Sequence, residues 1–285
     1  MNLHPKLERF LMTSCDQFFS AFPQKRPAKK LLEDCLIISH RGIHDQREIK
    51  ENTMDAFVLA EEKGVYGIEL DFRWTRDLVP VVVHDPDLER VFGMDVQIAE
   101  HDFESLKSLC PSVPSLQQVV ERFGNKMHLM IEVKHEPYPN PEHQNTILES
   151  ILSNLIPDQY YHLISLDPEM LELIECVPDH AKMPVAELNV GKLSEIALEK
   201  NYAGVLGHYF CSMDDWSKNI SRQDKRLGQV TRIHRIACHV SSTGESTGFF
   251  QMMPGGLSKS EKQCSLKMDK FSFLTFSKSG RFKLS

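Results

Sequence analysis

The stretch "CLIISHRGIHDQREIKENTMDAFVLAEEKGVYGIELDF", residues 35–72, contains a complete strand–helix–strand unit. Its first five and its last eight residues are short β-rich apolar runs. Between them, residues 53–64 have the apolar spacing of an amphipathic helix, with Asn52 or Thr53 as the N-cap. Two strands joined by a helix run parallel in one sheet, so this unit predicts an α/β fold.

The same alternation continues to about residue 210. Further strands are predicted at 79–85, 126–135, 161–167, 182–188 and 202–210, and further helices at 115–124, 142–155, 168–177 and 193–201. This many units in one chain favours a closed (β/α)8 barrel of the TIM type over an open sheet. Residues 85–115 are too long for a simple connection and predict a small insertion subdomain at one end of the barrel.

We expect three regions along the chain. Residues 1–35 predict an amphipathic helical extension that packs on the main domain, with a peripheral membrane or partner contact as the alternative. Residues 36–240 form the barrel, and residues 241–285 are an atypical tail. After Gln229 the last barrel strands are not recognisable, which leaves closure of the barrel in doubt. Residues 230–240 and 270–285 are the two candidates for closing elements.

The composition is that of a soluble globular protein. The chain has 285 residues, of which 41% are hydrophobic and 26% charged, and its formal net charge is −7. No dense basic block is present, which argues against nucleic-acid binding, and no apolar run is long enough to span a bilayer. The seven cysteines are scattered without a close pair, which predicts reduced thiols and a cytoplasmic location. Oligomeric state is left open.

Carboxylates recur near the ends of the predicted strands. Glu69 and Asp71 are two residues apart in "GIELDF", so both side chains point to one face of a strand. Glu132 lies at the corresponding place in "MIEVKH". In a parallel barrel the strand ends meet at one rim, where three converging carboxylates would repel one another. We therefore predict one bound divalent cation, Mg²⁺ or Ca²⁺, because its ligands would all be oxygens.

Cationic and titratable side chains end the same strands. His40 and His84 each follow an apolar run, and together they offer an acid–base pair near neutral pH. Arg41 and Lys134 indicate an anionic substrate such as a phosphodiester. Gly42 is expected to let the ligand approach the backbone closely. Four other histidines are interpreted as structural, namely His44, His128, His135 and His208.

One connection is short for this arrangement. Only about seven residues separate the strand of Asp71 from the strand of His84, fewer than a parallel crossover requires. A hairpin is expected to carry His84 to the opposite end of the barrel from Asp71. The predicted site therefore requires a nearly extended return, which is just long enough at about 3.3 Å per residue.

Six segments in order resemble a known family. These are "HRG…ENTMDAF", "GIELDFRWTRD", "VPVVVHD", "VPSLQQVV", "IEVK" and "ISLDPEML", spread over residues 36–215. They are similar to the signature series of the glycerophosphodiester phosphodiesterases. The resemblance implies a (β/α)8 barrel with an insertion after the "HD" strand, and metal-dependent hydrolysis of glycerophosphodiesters to an alcohol and glycerol 3-phosphate.

The resemblance also implies roles, residue by residue. His40 and His84 would be the general acid and base, Arg41 and Lys134 would hold the phosphate, Glu69, Asp71 and Glu132 would bind the metal, and Glu51 would brace the rim through Arg41. The expected chemistry uses the glycerol hydroxyl beside the phosphate as nucleophile and then opens a cyclic phosphate with water. The substrate would be a small glycerophosphodiester.

The sequence departs from the family pattern in places. Leu78 stands where the family commonly has glycine, which puts a left-handed turn in doubt, and Lys50 stands where proline is usual. The unrecognised closing strands keep open a catalytically impaired phosphodiester-binding remnant. A lysophospholipid or phosphoinositide phosphodiesterase on the same barrel is another alternative, for which an apolar groove at Val91, Phe92 and Met94 is the sole indication.

Overall fold

A computed structural model of the chain describes residues 36–186, 189–208, 237–239 and 249–251. The strands are β1 (Leu36–His40), β2 (Gly67–Trp74), β3 (Pro80–Val82), β4 (Asp87–Leu88), β5 (Met94–Gln97), β6 (His128–Val133), β7 (Tyr161–Ser165), β8 (Lys182–Ala186), β9 (Leu206–His208), β10 (Ala237–His239) and β11 (Phe249–Gln251). The predicted extension at 1–35 and the candidate closing element at 270–285 lie outside the described residues.

Seven α-helices connect or flank the described strands. They are α1 (Met54–Glu62), α2 (Glu89–Phe92), α3 (Phe103–Leu109), α4 (Leu116–Phe123), α5 (Pro141–Leu152), α6 (Pro168–Leu173) and α7 (Val190–Glu199). The caps follow from the sequence: the Thr53 side chain accepts from the amide of Ala56 at the start of α1. Ser115 and Gln118 form a capping box at the start of α4. None of the described helices is long and apolar enough to cross a membrane.

The main sheet closes into a ring, which confirms the predicted TIM-type class. The order around the ring is β1–β2–β6–β7–β8–β9–β11–β10, and β10 pairs again with β1. The six strands from β1 to β9 in this order are parallel to their neighbours, as expected for (β/α) units. The closure differs, because β11 is antiparallel to both β9 and β10. The sheet thus includes a strand from beyond residue 240.

Two apolar layers follow from the alternation of side chains along the strands. Outward residues of β2 and β6, such as Leu70 and Ile131, pack with Phe57 and Phe123 from the helices. Inward residues fill the lumen in a separate cluster, which consists of Ile38, Met130, Ile164, Met183, Val185, Ala203 and Leu206. This lumen cluster is formed by inward-facing residues one step before the carboxyl ends of the strands. It therefore lies directly beneath any polar site at those ends.

The segment predicted to be an insertion, residues 85–115, contains the β4–β5 hairpin, α2 and α3. Leu88, Ile98 and Leu106 from this segment pack in one apolar cluster with Val81 and Val83. Arg76 in the turn after β2 ties this segment to the barrel through a two-pronged ion pair with Asp102.

The connection from β2 to β3 corrects the sequence prediction. It is an antiparallel hairpin with Phe72 opposite Val82, not a nearly extended return. The expectation that a hairpin separates His84 from Asp71 was also wrong. Strand β2 continues past Asp71 to Trp74, so the turn lies beyond the rim and the returning chain descends again. The Val83 amide donates to the Asp71 carbonyl at 3.0 Å, which places His84 beside Asp71.

The turn of this hairpin has the left-handed geometry that a leucine was expected to disfavour. Leu78 has φ of 59°, and its amide donates to the Thr75 carbonyl at 3.0 Å. This backbone costs a residue with a Cβ about 1–2 kcal/mol. The Leu78 side chain packs against the outer core, which offsets part of that strain.

Two histidines fill the lumen at the opposite end from the rim. His128 Nδ1 faces the Gln159 carbonyl at 3.1 Å, and His128 Nε2 is 2.8 Å from His162 Nδ1. His162 Nε2 is 2.9 Å from Asp158 Oδ1, and Tyr66 stacks on His128. Both imidazoles are buried. The hydrogen-bonded pair of His128 and His162 is therefore a polar plug that closes this end of the lumen, as the structural interpretation of His128 predicts.

This plug predicts a loss of stability in acid. Burial, and to a smaller extent the neighbouring His162, lower the pKa of His128 to about 3. A histidine that stays neutral when folded but protonates when unfolded loses stability as pH falls below about 6.5, by roughly 2 kcal/mol at pH 5. We expect urea unfolding at pH 7 and pH 5 to show this loss in the wild type and a smaller one in His128→Gln. The exposed His143→Gln variant is the control, and an unchanged pH slope in His128→Gln would contradict the assignment.

Candidate active site

The carboxyl ends of β1, β2 and β6 bring together the predicted carboxylates. Register places His40 opposite Glu69, and Asp71 opposite Glu132. Oxygens of Glu69, Asp71 and Glu132 lie within 4.8 Å of one another, and all three residues are at most 9% exposed. The Glu69 Oε1 atom is buried without a hydrogen-bond partner. An all-oxygen cluster with such an orphaned ligand atom fits a Mg²⁺ or Ca²⁺ ion.

Two cations share this cluster. Lys134 Nζ lies 2.6 Å from both Asp71 Oδ1 and Glu132 Oε1. Arg41 Nε lies 3.2 Å from Asp71 Oδ2, and the Arg41 amide donates to Glu69 Oε2 at 3.1 Å. Because the three carboxylates carry three negative charges and the two side chains carry two positive ones, the cluster retains an excess of negative charge.

The pKa values of the three carboxyls diverge accordingly. Burial raises the pKa of Glu69 well above its ordinary value, and the charges of Asp71 and Glu132 raise it further. Burial and Asp71 likewise raise the pKa of Glu132. Burial also opposes ionisation of Asp71, but Lys134 and Arg41 hold its pKa well below the usual range. Asp71 is thus the carboxyl that the two cations keep ionised. Around Glu69 and Glu132 the positive charge is too small to offset burial and the neighbouring carboxylates.

The imidazoles flank this cluster. His40 Nε2 is 3.8 Å from Glu69 Oε2, and its side chain is partly exposed. His84 Nδ1 is 2.6 Å from Asp85 Oδ1. Burial lowers the pKa of His84, and Asp71 opposes this while Lys134 and Arg41 add to it. Since Asp85 accepts the Nδ1 proton, His84 Nε2 is left for proton exchange with a bound molecule.

Glu51 contacts Arg41, as the family pattern implies. It is buried, and its Oε1 accepts from Arg41 Nη1 at 2.9 Å. The same carboxylate accepts from Arg90 and from the Gln46 side chain. Burial works against ionisation of Glu51, but the Arg90 and Arg41 contacts lower its pKa overall.

Three further residues at the site have no catalytic or binding role in the sequence prediction. Asn52, predicted as one of two N-cap candidates, donates from Nδ2 to Asp71 Oδ2 at 2.8 Å, and the N-cap of α1 is Thr53. Asp85 holds His84, and Arg90 joins Asp85 to Glu51. The pair "HD" was a signal for Asp85. Asn52 and Arg90 contact site residues that are distant in the sequence, so the pattern at the end of one strand does not reveal them.

Gly42 packs closely against α1. It has φ of +78°, and a Cβ added there would lie 2.7 Å from the backbone carbon of Ala56. The missing side chain makes room for this helix, and the predicted approach of a ligand to Gly42 stays a prediction. Among the other histidines, His44 is buried, His135 pairs with Asp167, and the side chain of His208 lies outside the described part.

The Gly42 contact gives a stability prediction. Gly42→Ala should destabilise the protein by about 2–5 kcal/mol, because left-handed strain and overpacking add. Gly93→Ala is the matched control, since Gly93 has φ of +70° but nothing within 4 Å of an added Cβ. It should cost only about 1–2 kcal/mol, the strain alone. Urea denaturation measures both, and equal losses would show that the contact with Ala56 is unimportant.

Comparison with known proteins identifies the segment that carries this site. The sequence profile of the glycerophosphoryl diester phosphodiesterase family matches residues 40–160. Residues 40–160 of this chain are therefore similar to this family. A glycerophosphodiester phosphodiesterase of Caldanaerobacter subterraneus is 35% identical over 111 residues, which cover 35% of this chain and 45% of the relative. One from Bacillus altitudinis is 29% identical over 167 residues, which cover 54% and 67%.

A human lysophospholipase D is also similar. It is 31% identical over 159 residues, which cover 52% of this chain and 50% of the relative. The chain therefore spans about half the length of several phosphodiesterase relatives that it matches.

Solved structures share the barrel. A phosphodiesterase of the family from Thermotoga maritima superposes with a TM-score of 0.55 at 25% identity, over 68% of this chain and 82% of that one. A phosphodiesterase from Oleispira antarctica, solved with its product sn-glycerol-3-phosphate, gives 0.55 at 19% identity, over 72% and 84%. Because only 19% of the aligned residues are identical, the similarity to the Oleispira antarctica structure shows a shared fold and nothing more.

Proposed function

We propose that this chain is a metal-dependent glycerophosphodiester phosphodiesterase that yields an alcohol and glycerol 3-phosphate. One observation carries the proposal: two imidazoles, three carboxylates and two cations from separate strands meet at one rim of the barrel. Glu69, Asp71 and Glu132 are the candidate ligands of one Mg²⁺ or Ca²⁺ ion. A bound cation would supply positive charge against the developing charge of the phosphate oxygens.

The acid–base roles fall to His40 and His84. One imidazole takes the proton of the glycerol hydroxyl next to the phosphate, and the freed oxygen attacks phosphorus. The other imidazole gives a proton to the departing alcohol oxygen. Water then adds to the cyclic phosphate with the two roles reversed, which leaves glycerol 3-phosphate. The Asp85 contact supports His84 in this role, because it fixes which ring nitrogen stays available.

Arg41 is the candidate phosphate ligand with the stronger structural support. Glu51 and Asp71 hold its guanidinium from two sides, so its direction is fixed before substrate binds. Lys134 is directed at Asp71 and Glu132, so its proposed contact with phosphate requires its ammonium to move from these carboxylates.

Turnover of a substrate panel tests the proposal. Glycerophosphocholine, glycerophosphoethanolamine and glycerophosphoinositol should release glycerol 3-phosphate with Mg²⁺ or Ca²⁺, and a chelator should stop the release. No cation-dependent release from any of them would contradict the proposal. A cooperative melt together with turnover would exclude an impaired remnant.

A lysophospholipid substrate is the second candidate, because the human lysophospholipase D is 31% identical over 159 residues. The predicted apolar groove does not support it, since Val91 is buried and Phe92 and Met94 pack against the apolar cluster that contains Leu88. Release of choline from lysophosphatidylcholine faster than from glycerophosphocholine would favour this candidate.

The proposed location is the cytosol. The scattered cysteines support it, and Cys110 and Cys176 are both free thiols in the described part of the chain.

A further inference from the structure

Arg90 in α2 of the insertion reaches across to the barrel. Its Nη2 and Nη1 atoms lie 2.6 and 3.1 Å from the two carboxylate oxygens of Glu51. Its Nε lies 2.5 Å from Asp85 Oδ2. The guanidinium therefore makes a bidentate contact with the Glu51 carboxylate through its two Nη atoms and contacts the Asp85 carboxylate through Nε.

Each partner of Arg90 holds a candidate catalytic group with its other contacts. Asp85 binds His84 Nδ1 at 2.6 Å, and Glu51 binds Arg41 Nη1 at 2.9 Å. One side chain of the insertion is thus a single contact away from both the imidazole and the guanidinium of the site.

We propose that Arg90 is a positioning residue, which fixes the orientation of His84 through Asp85 and of Arg41 through Glu51. This inference rests on the proposed function. The insertion then contributes to catalysis, because Arg90 in α2 contacts both Asp85, which holds His84, and Glu51, which holds Arg41.

The contacts are more than an ordinary surface ion pair. An exposed pair contributes little because both side chains remain hydrated and free to move. Glu51, in contrast, is only 4% exposed, and its carboxylate serves Arg41 and Arg90 together. Without Arg90, the Asp85 and Glu51 carboxylates would lose the charge between them. Asp85 would then turn toward water, and the His84 ring would lose its fixed direction.

Two variants test the proposal. Arg90→Met should lower kcat by roughly 10- to 100-fold with a smaller change in KM, because the groups still exist but are misdirected. Arg90→Lys keeps the charge but cannot reach both carboxylates with a planar fork, so it should recover only part of the rate. Lysine also serves if the methionine variant folds poorly.

The matched control is Arg76→Met. Arg76 likewise joins the insertion to the barrel by a two-pronged ion pair, with Asp102, but it does not contact Asp85 or Glu51. An equal loss in Arg76→Met and Arg90→Met would mean that Arg90 only docks the insertion, and would overturn the proposal.

The deciding readout does not depend on turnover. Nitrogen-15 shifts of His84 at pH 8 should show the proton on Nδ1 in the wild type and a mixture of tautomers in both Arg90 variants. An unchanged His84 signal in those variants overturns the proposal, whatever happens to the rate. If the wild type showed no turnover, the proposed function would be contradicted. The His84 nitrogen-15 shifts would still test whether Arg90 orients the His84 ring.

Discussion

Replacing His84 with glutamine is expected to lower kcat on glycerophosphodiesters by roughly 10²- to 10⁴-fold, the usual range for losing a general acid or base. Glutamine retains a donor for Asp85 but cannot carry a proton in turnover. The structural effect should be small, because the His84 side chain is 32% exposed and its Asp85 partner keeps Arg90. His40→Gln should have a loss of the same order, and both variants should melt close to the wild type.

His135→Gln is the matched control for both. His135 follows β6 on the same rim and also pairs with a carboxylate, that of Asp167, but its side chain is 77% exposed and no contact ties it to the carboxylate cluster. It should keep the wild-type rate. A loss in His135→Gln equal to that in His84→Gln, or a rate for His84→Gln within about threefold of wild type, would rule out the assigned role.

A change of leaving group separates the two imidazoles. A glycerophosphodiester with p-nitrophenol as its alcohol needs little protonation of the departing oxygen. The variant without the general acid should therefore recover much of its rate on this substrate, while the variant without the base should not. Equal losses on both substrates for both variants would contradict a division of labour between His40 and His84.

The sequence predicts the barrel strands and the carboxylate cluster because both depend on local periodicity. Alternation along β2 alone places Glu69 and Asp71 on one face, and the same rule applies to Glu132 on β6 and to Lys134, the residue that follows β6. Parallel register then brings the two strands' inward residues to one level. Nothing beyond the pattern of each strand and the barrel topology is needed for this part of the site.

The errors and omissions arise where packing between elements decides. The predicted strand ended at residue 72, and the two further residues of β2 are what allow a hairpin to return His84 to Asp71. Gly42 is required by the approach of α1, which no local pattern encodes. Arg90 contacts Glu51 across 39 residues, so its part depends on how the insertion docks.

Closure of the ring was the other uncertain point. The sequence after Gln229 does not show the alternation of a (β/α) unit, and the two closing strands that the structure describes pair antiparallel to each other. Strands β10 and β11 have three residues each, and β11 runs against its neighbours. The catalytic candidates come from β1, β2, β6 and the return after β3, so the site does not draw on the closing strands.

Glu69→Gln is expected to change stability in opposite directions with and without a divalent cation. In a chelator, the raised pKa of Glu69 means that its stabilising contribution is lost as pH rises from the unfolded value toward the folded one. The folded protein at neutral pH thus carries the cost of burying a charge on Glu69, together with its repulsion by Asp71 and Glu132. A neutral amide of similar size removes that repulsion and keeps an oxygen for the Arg41 amide, so the chelated variant should melt above the chelated wild type.

With cation present the order should reverse. A ligand that binds only the folded state stabilises it by about 2.7 kcal/mol at a hundred times its Kd, and the wild type should gain such a shift. Glu69→Gln loses a charged ligand, so its shift should be much smaller, and its turnover should need far more cation while KM changes less. Glu136→Gln is the control, since burial also raises the pKa of Glu136 but its contacts are with Arg73 and Trp74. That variant should keep the full cation shift. Equal cation shifts in wild type and Glu69→Gln would mean that the ion binds somewhere other than the three carboxylates.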